Sequence, residues 1–346
     1  MEVNSRKLKV LIVSPPLPQQ FVFNDKKILS QWYNVSLIEG LRHGAFKRLF
    51  TCVKESDFVL CWFGCRAAAV AVFYSRILRK KVAVIAGGQD VAHVPEINHG
   101  MMRKISHRGF IKFAFDNCDA AVAVSIFSAK ELLRWTKPKA VCMIYNGVEI
   151  PHGIFPSESR SGVLCVARVT EETIRLKGIE SLLKAANLLP HVPFTLVGDI
   201  SKQANRSLSL LIPGNIRLTG KLNHESVLRL CSTSKVYVQP SYYESFGVAL
   251  AESMAVGCVP VTTRRGALPE VVGDAGFYVD YGDDVALAKA INTALQSGLG
   301  ERARDRVIKL FTLELRGTLL KNLIDGLVYD DAIPNNLLLD IRTLAK

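Results

Sequence analysis

Short, uninterrupted apolar runs recur along this chain, each ending in a polar or glycine turn and followed by a helix-forming stretch. Lys9-Val10-Leu11-Ile12-Val13 stops at Ser14-Pro15-Pro16. Residues 57–62 and 81–86 repeat the pattern, the first followed by an Ala-rich stretch at 66–78 and the second by Gly87-Gly88. Runs that are apolar at every position suit strands covered on both faces, the condition of a parallel sheet between helices. Strands are also predicted at 119–124 and 140–145, with a helix at 128–135 between them. A Pro/Gly/Ser-rich link then runs from Pro151 to Gly162, after which the alternation restarts. Strands at 162–167, 193–197, 216–218, 235–239, 259–262 and 276–279 are predicted, with helices near 179–189, 225–231, 248–254, 284–296 and 313–327. The predicted fold class is α/β: two facing Rossmann-like, doubly wound domains with an interdomain cleft. Their expected bounds are 1–157 and 158–329, with a tail at 330–346 packing back across the domains.

A chain of 346 residues with 49% apolar and 22% charged residues can bury two cores. The longest apolar run, about Ala67 to Tyr74, is far short of the roughly 20 residues that cross a bilayer. Met1 to Lys9 is polar, with no signal-peptide core behind it, and the eight cysteines show no metal-ligand spacing. Reduced, mostly buried thiols and a cytoplasmic location are the expectation. The formal charge of +13 is uneven: residues 1–157 hold 22 Lys and Arg against 11 Asp and Glu, the remainder 22 against 20. Basic residues gather in Arg76-Ile77-Leu78-Arg79-Lys80-Lys81, and at Arg103-Lys104, Arg108 and Lys112 among Met101, Ile105, Phe110 and Phe113. Such a basic, partly aromatic stretch suits an anionic membrane surface, peripheral at the inner face, and equally a solvated helix face. No nucleic-acid partner is expected.

The chemistry concentrates around Pro240-Ser241-Tyr242-Tyr243-Glu244-Ser245-Phe246-Gly247-Val248, with Glu252 eight positions beyond Glu244. A strand runs into Pro240, and Gly247 opens a helix. Glu244 is thus placed at a strand's carboxyl end before a helix N-terminus, where open α/β sheets bind ligands and anions are favoured. Two carboxylates beside such a helix end make poor phosphate ligands but good acceptors for hydroxyls. Arg168 and Lys177 flank another strand-to-helix loop at the same edge and could hold a diphosphate, Arg by paired hydrogen bonds and Lys as a point charge. The ligand implied is a nucleotide sugar. As an isolated pair, Arg168 and Lys177 would equally be solvated loop charges.

Six fragments in order, Val166-Ala167-Arg168…Lys177-Gly178, Leu196-Val197-Gly198-Asp199, Gly220-Lys221-Leu222, Pro240…Glu244…Glu252, Gly257-Cys258-Val259-Pro260-Val261 and Gly266-Ala267-Leu268-Pro269-Glu270-Val271-Val272, resemble the donor half of retaining family 4 glycosyltransferases, which have the GT-B fold. The E-x7-E spacing of Glu244 and Glu252 is part of that resemblance. It implies that Arg168 and Lys177 contact the donor diphosphate and stabilise the leaving group, with Glu244 against the transferred sugar. It further implies that Glu252 accepts from the ribose hydroxyls, that backbone N–H groups of Phe246, Gly247 and Val248 address sugar or phosphate, and that Gly198, Lys221 and Leu222 line the base pocket. The reaction implied is transfer of a hexosyl group with retention, from a nucleotide-diphosphate sugar to a glycan or lipid-linked acceptor.

The first half departs from the family. Its first turn, Ser14-Pro15-Pro16-Leu17-Pro18, lacks glycines, and Gly87-Gly88-Gln89-Asp90 puts glycine where many members carry histidine. Gly87, Gly88, Asp90 and His93 are the acceptor-side candidates. Asp90 could equally hold a turn, and His93 equally cap or lie exposed. No cofactor is expected, and no metal: no Asp-x-Asp motif is present, and Asp283-Asp284 reads as a helix cap. The alternatives are a nucleotide-sugar epimerase of the same fold and a non-catalytic nucleotide-sugar or nucleic-acid binding protein.

Overall fold

A computed structural model describes residues 6–16, 19–41, 45–151, 160–330 and 332–340. It divides into two compact units, Met1–Gly147 with Leu313–Lys346, and Val148–Thr312. The first holds β1 (Lys9–Ser14), β2 (Asn34–Glu39), β3 (Phe58–Trp62), β4 (Lys81–Ala86), β5 (Ala120–Ala123) and β6 (Val141–Met143), in the order β2-β1-β3-β4-β5-β6. The second holds β7 (Ser161–Val166), β8 (Phe194–Val197), β9 (Ile216–Gly220), β10 (Ser234–Gln239), β11 (Val259–Thr263) and β12 (Phe277–Val279), ordered β12-β11-β10-β7-β8-β9. Neighbouring strands run parallel in both sheets. Every residue of β3 is buried, as are five of the six in β4, in keeping with strands sandwiched between helices. All eight cysteines are free thiols and six are buried.

In the second sheet, β10 and β7 are neighbours although two strands separate them in sequence. Connections from β7 lead one way across the sheet and those from β10 the other. This is the topological switch point of a doubly wound sheet, where the loops leaving the two central strands splay apart. Register pairs Tyr237 with Leu164 and Val166 with Val197. Pro240, Ala167 and Gly198 therefore come level at the carboxyl edge.

Two boundaries differ from the expectation: the first unit gives way to the second after Gly147 rather than 157, and the second ends at Thr312 rather than 329. The helix Leu313–Asp325, predicted in the second domain, belongs to the first unit. The reason is a buried polar cluster: Arg316 donates to both oxygens of Asp25 at 2.6 and 2.8 Å and to the carbonyls of Ile144 and Tyr145. Trp62 Nε1 donates to Asp25 as well, at 2.9 Å. Beyond that helix the chain runs along β6, with Met143 N donating to Leu337 O and Leu339 N to Val141 O. The Pro/Gly/Ser-rich link at 152–159 lies outside the described residues, as do Leu17 and Pro18 of the first turn. The edge strand β2 was missed because Asn34-Val35-Ser36-Leu37-Ile38-Glu39 is half polar, an edge strand being covered less than a central one.

Candidate functional site

Glu244 is gripped by three loops at the carboxyl edge. The helix Glu171–Lys177, after β7, ends at Gly178 in the left-handed region, φ 64°. A Cβ on Gly178 would stand 2.0 Å from Pro240 O, so only glycine lets this loop lie against the end of β10. Lys177, one residue earlier, thereby reaches Glu244: Nζ to Oε2 is 2.7 Å, with both side chains partly buried. Gln239 Nε2 donates to the same oxygen at 2.8 Å. From the loop after β11, Ala267 N donates to Glu244 O, and a Cβ on Gly266 would clash with that carbonyl at 2.2 Å. Oε1 accepts no hydrogen bond from the described residues and is the oxygen available to a ligand hydroxyl.

Gly247, φ 96°, opens the helix Val248–Ala255 without any side-chain cap. Among the described residues no side chain caps its first-turn N–H groups, which at a helix end favour an anion. Phe246 contributes backbone only, because its ring is buried edge-on against Phe311 at 5.4 Å. Glu252, in the second turn, accepts from His224 at 2.9 Å. His224 opens the helix His224–Thr233, which packs on β10, β7 and the helix of Glu252. The Glu252 hydrogen bond, with the charges of Glu252 and Glu149, holds the imidazole above its ordinary pKa against the opposing effect of burial. His224 escaped the sequence reading: nothing local distinguishes a histidine 28 residues ahead of its partner.

The remaining donor-side candidates are distributed along the same edge. Gly198, φ 142°, has no room for a side chain, its Cβ position lying 1.9 Å from Ala167 O, and its N–H donates to Gly220 O at 3.0 Å. Lys221 is exposed and Leu222 half-buried. Arg168 is exposed, with its carbonyl accepting from Thr173 Oγ1, and its guanidinium makes no ion pair with the described residues. The structure thus joins Lys177 to Glu244 directly, whereas Glu252 meets His224 and Arg168 meets neither. Arg265 was also missed: it lies 4.5 Å over the Tyr242 ring, one residue before the Gly266 that abuts Glu244. Its signal was available, since it immediately precedes the Gly266-to-Val272 fragment.

In the first unit, Asp90 requires a correction. It is fully buried, with one oxygen accepting from Gly64 N at 2.7 Å and the other from Gly88 N at 2.8 Å. It ties the turns after β3 and β4 together and presents no carboxylate to a substrate. Burial raises its pKa to about 6 despite the backbone N–H groups that favour the anion. Gly87 abuts the Phe63 ring, and Gly88 takes φ 111°. His93 is half-buried, its ring 5.1 Å from Trp135 and its Nε2 3.4 Å from Arg108. Asp283 caps the helix Asp284–Leu295 by accepting from Ala286 N at 2.8 Å. Among the described residues no three His, Cys, Asp or Glu side chains cluster as metal ligands.

Comparison with known proteins bears on this edge. Residues 155–309 match the family described as glycosyl transferases group 1. The chain is 34% identical over 129 residues to O-antigen chain mannosyltransferase B of Escherichia coli, covering 35% of this chain and 34% of that protein. It is 28% identical over 236 residues to N-acetyl-alpha-D-glucosaminyl L-malate synthase of Bacillus anthracis, covering 60% of each. The chain therefore spans about a third to three fifths of the length of these relatives. The solved structure of Anabaena HepE with UDP and glucose superposes with a TM-score of 0.75 at 17% identity, over 92% of this chain and 100% of that one. At that identity the likeness is one of fold, and the fold is GT-B, with two Rossmann-like parallel sheets. Lys177, Glu244, Glu252 and His224, on the carboxyl edge of the second sheet, all lie within the residues that match the glycosyl transferases group 1 family.

Proposed function

We propose that this protein is a retaining, metal-independent glycosyltransferase that moves a hexosyl group from a nucleotide-diphosphate sugar to a glycan or lipid-linked acceptor near an anionic membrane surface. The observation that carries this reading is the Lys177–Glu244 pair at the switch point, beside the uncapped helix Val248–Ala255. In this reading the donor diphosphate takes Arg168, Lys177 and the first-turn N–H groups, and Glu244 Oε1 accepts from a sugar hydroxyl. Glu252, steadied by His224, accepts from the ribose. Gly198, Lys221 and Leu222 flank the base, and Gly87, Gly88 and His93 belong to the acceptor side. The bond from the anomeric carbon to the phosphate oxygen breaks and one to the acceptor oxygen forms on the same face. The leaving phosphate takes the acceptor proton. Charge neutralisation on that phosphate and positioning supply most of the rate.

The test is a thermal-shift screen across nucleotide-diphosphate sugars, followed by transfer assays with the stabilising donor. Lys177→Ala and Arg168→Ala are expected to lower kcat roughly 100- to 1,000-fold while leaving affinity for the nucleoside nearly unchanged. NMR of the product is expected to show the donor's anomeric configuration, with EDTA leaving the rate unaltered. Conversion of the donor without any acceptor would favour the epimerase alternative. Absence of any donor-induced shift, with both variants as active as the parent, would overturn the reading.

A further inference from the structure

The helices Ala45–Glu55, Arg66–Ile77 and Ile105–Asn117 pack side by side in the first unit. Their inner faces are ordinary core, with Leu49, Val53, Ala68, Val72, Ile111 and Phe115 all buried. The outer faces depart from the usual polar pattern. On the middle helix, Phe73 and Ile77 are 49% and 58% exposed and stand one turn apart. On the first, Phe46 and Phe50 repeat the one-turn spacing, also exposed. The two stripes meet: the Arg66 guanidinium lies 5.5 Å over Phe46, Phe50 is edge-on to Tyr74 at 5.2 Å, and Tyr74 is 5.9 Å from Phe73. The third helix extends the surface with Ile105, 82% exposed, and with Phe110 and Phe113.

Charge on these segments is predominantly positive. Residues 45–81 contain eight Lys and Arg against Glu55 and Asp57. Residues 101–117 contain four against Asp116, whose carboxylate already accepts from Lys137 N at 2.5 Å. Lys47, Arg48, Lys54, Arg79, Lys80 and Lys104 make no ion pair with any described residue. Protruding aromatic and aliphatic tips ringed by unpaired cations match an anionic headgroup layer, in which apolar tips sink below the phosphates and cations stop at them. A second copy of the chain fits poorly, because a two-fold contact sets the same cations against themselves. Among the described residues no helix is long and apolar enough to cross a membrane, so contact of this kind is made from one side.

We propose that the outer face of these three helices is a docking surface for an anionic phospholipid bilayer, with Phe46, Phe50, Phe73, Ile77 and Ile105 inserted at headgroup depth and the unpaired Lys and Arg on lipid phosphates. This assigns the anionic-surface contact to named residues. It is read without donor or acceptor, so its failure leaves sugar transfer standing.

The full chain is floated with vesicles of neutral phosphatidylcholine and with vesicles containing about 30% anionic phosphatidylglycerol. Flotation with the anionic vesicles only, lost as salt is raised from about 0.1 to 0.5 M, is the expected result. Lys47→Glu with Arg48→Glu, and separately Phe73→Ser with Ile77→Ser, are each expected to weaken binding at least roughly tenfold. Far-UV circular dichroism, melting temperature and the donor-induced thermal shift should stay unchanged in both. Equal flotation with neutral vesicles, or parental binding by both double variants, overturns the proposal. Loss of self-association in Phe73→Ser with Ile77→Ser, seen by sedimentation, would make the face a self-interface instead. Capture by polyglutamate as tight as by vesicles, and unaffected by the Phe73 and Ile77 changes, would replace the bilayer with an acidic polypeptide.

Discussion

His224 and Glu252 show how one side chain sets the state of another. The folded imidazole binds its proton more tightly than in the unfolded chain, whose value is about 6.5. The pair's contribution to stability is therefore fully present below about pH 6.5 and disappears as pH rises through the raised folded value. Half-exposure of His224 keeps that contribution to roughly 0.5 kcal/mol. Melting curves of the parent and His224→Ala should thus differ most near pH 6 and converge toward pH 9, whereas a pH-independent difference would mean that no charge pair forms. Glu252 would meanwhile keep its carboxylate oriented toward a ribose only while His224 holds it, so donor affinity in His224→Ala is expected to fall modestly at low pH.

Among the elements, the loops at the carboxyl edge depend on glycines for different reasons. Gly178 and Gly220 both have left-handed φ, 64° and 70°, but only Gly178 also abuts another backbone, Pro240 O. Gly220→Ala should carry the left-handed strain alone, about 1 kcal/mol. Gly178→Ala must also push the helix Glu171–Lys177 away from β10, and is expected to cost about 3 kcal/mol. It should also separate Lys177 from Glu244, so that urea titration and the transfer assay both report a larger loss than for Gly220→Ala. Equal losses would show that the close approach at Pro240 is unimportant. The helices Gln20–Leu29 and Ala45–Glu55 were not predicted: the second is rich in Lys, Arg and exposed Phe on the face that a conventional amphipathic helix makes polar.

For the molecule as a whole, the buried Arg316–Asp25 pair anchors the last long helix to the first unit. Arg316 is 3% exposed and Asp25 fully buried, so removing either partner strands the other charge in the core. Arg316→Ala is expected to cost about 3–5 kcal/mol, and Asp25→Leu with Arg316→Met to recover much of it. All three tryptophans, Trp32, Trp62 and Trp135, lie in the first unit. Tryptophan fluorescence during urea unfolding therefore isolates that unit, and its midpoint should move with both variants in this order. An unmoved midpoint would mean that the helix is dispensable to the unit.

Local order was legible in the residues themselves. Five strands of the first sheet, all six of the second and the helix opened by Gly247 follow from apolar periodicity and turn chemistry, which depend on chain neighbours and burial. The same reading placed Arg168 and Lys177 on either side of one strand-to-helix loop, Glu244 at a strand's carboxyl end and Glu252 inside the helix that follows. Tertiary structure decided which loops touch. Lys177 meets Glu244 across 67 positions because β7 and β10 are neighbours in the sheet, and His224 meets Glu252 because their helices pack together. Asp90, on the sequence either a ligand or a turn brace, is a buried brace, and Arg316 ties its helix to the first unit. Each outcome turns on strand order and burial between distant segments, and a distance along the chain carries no measure of either.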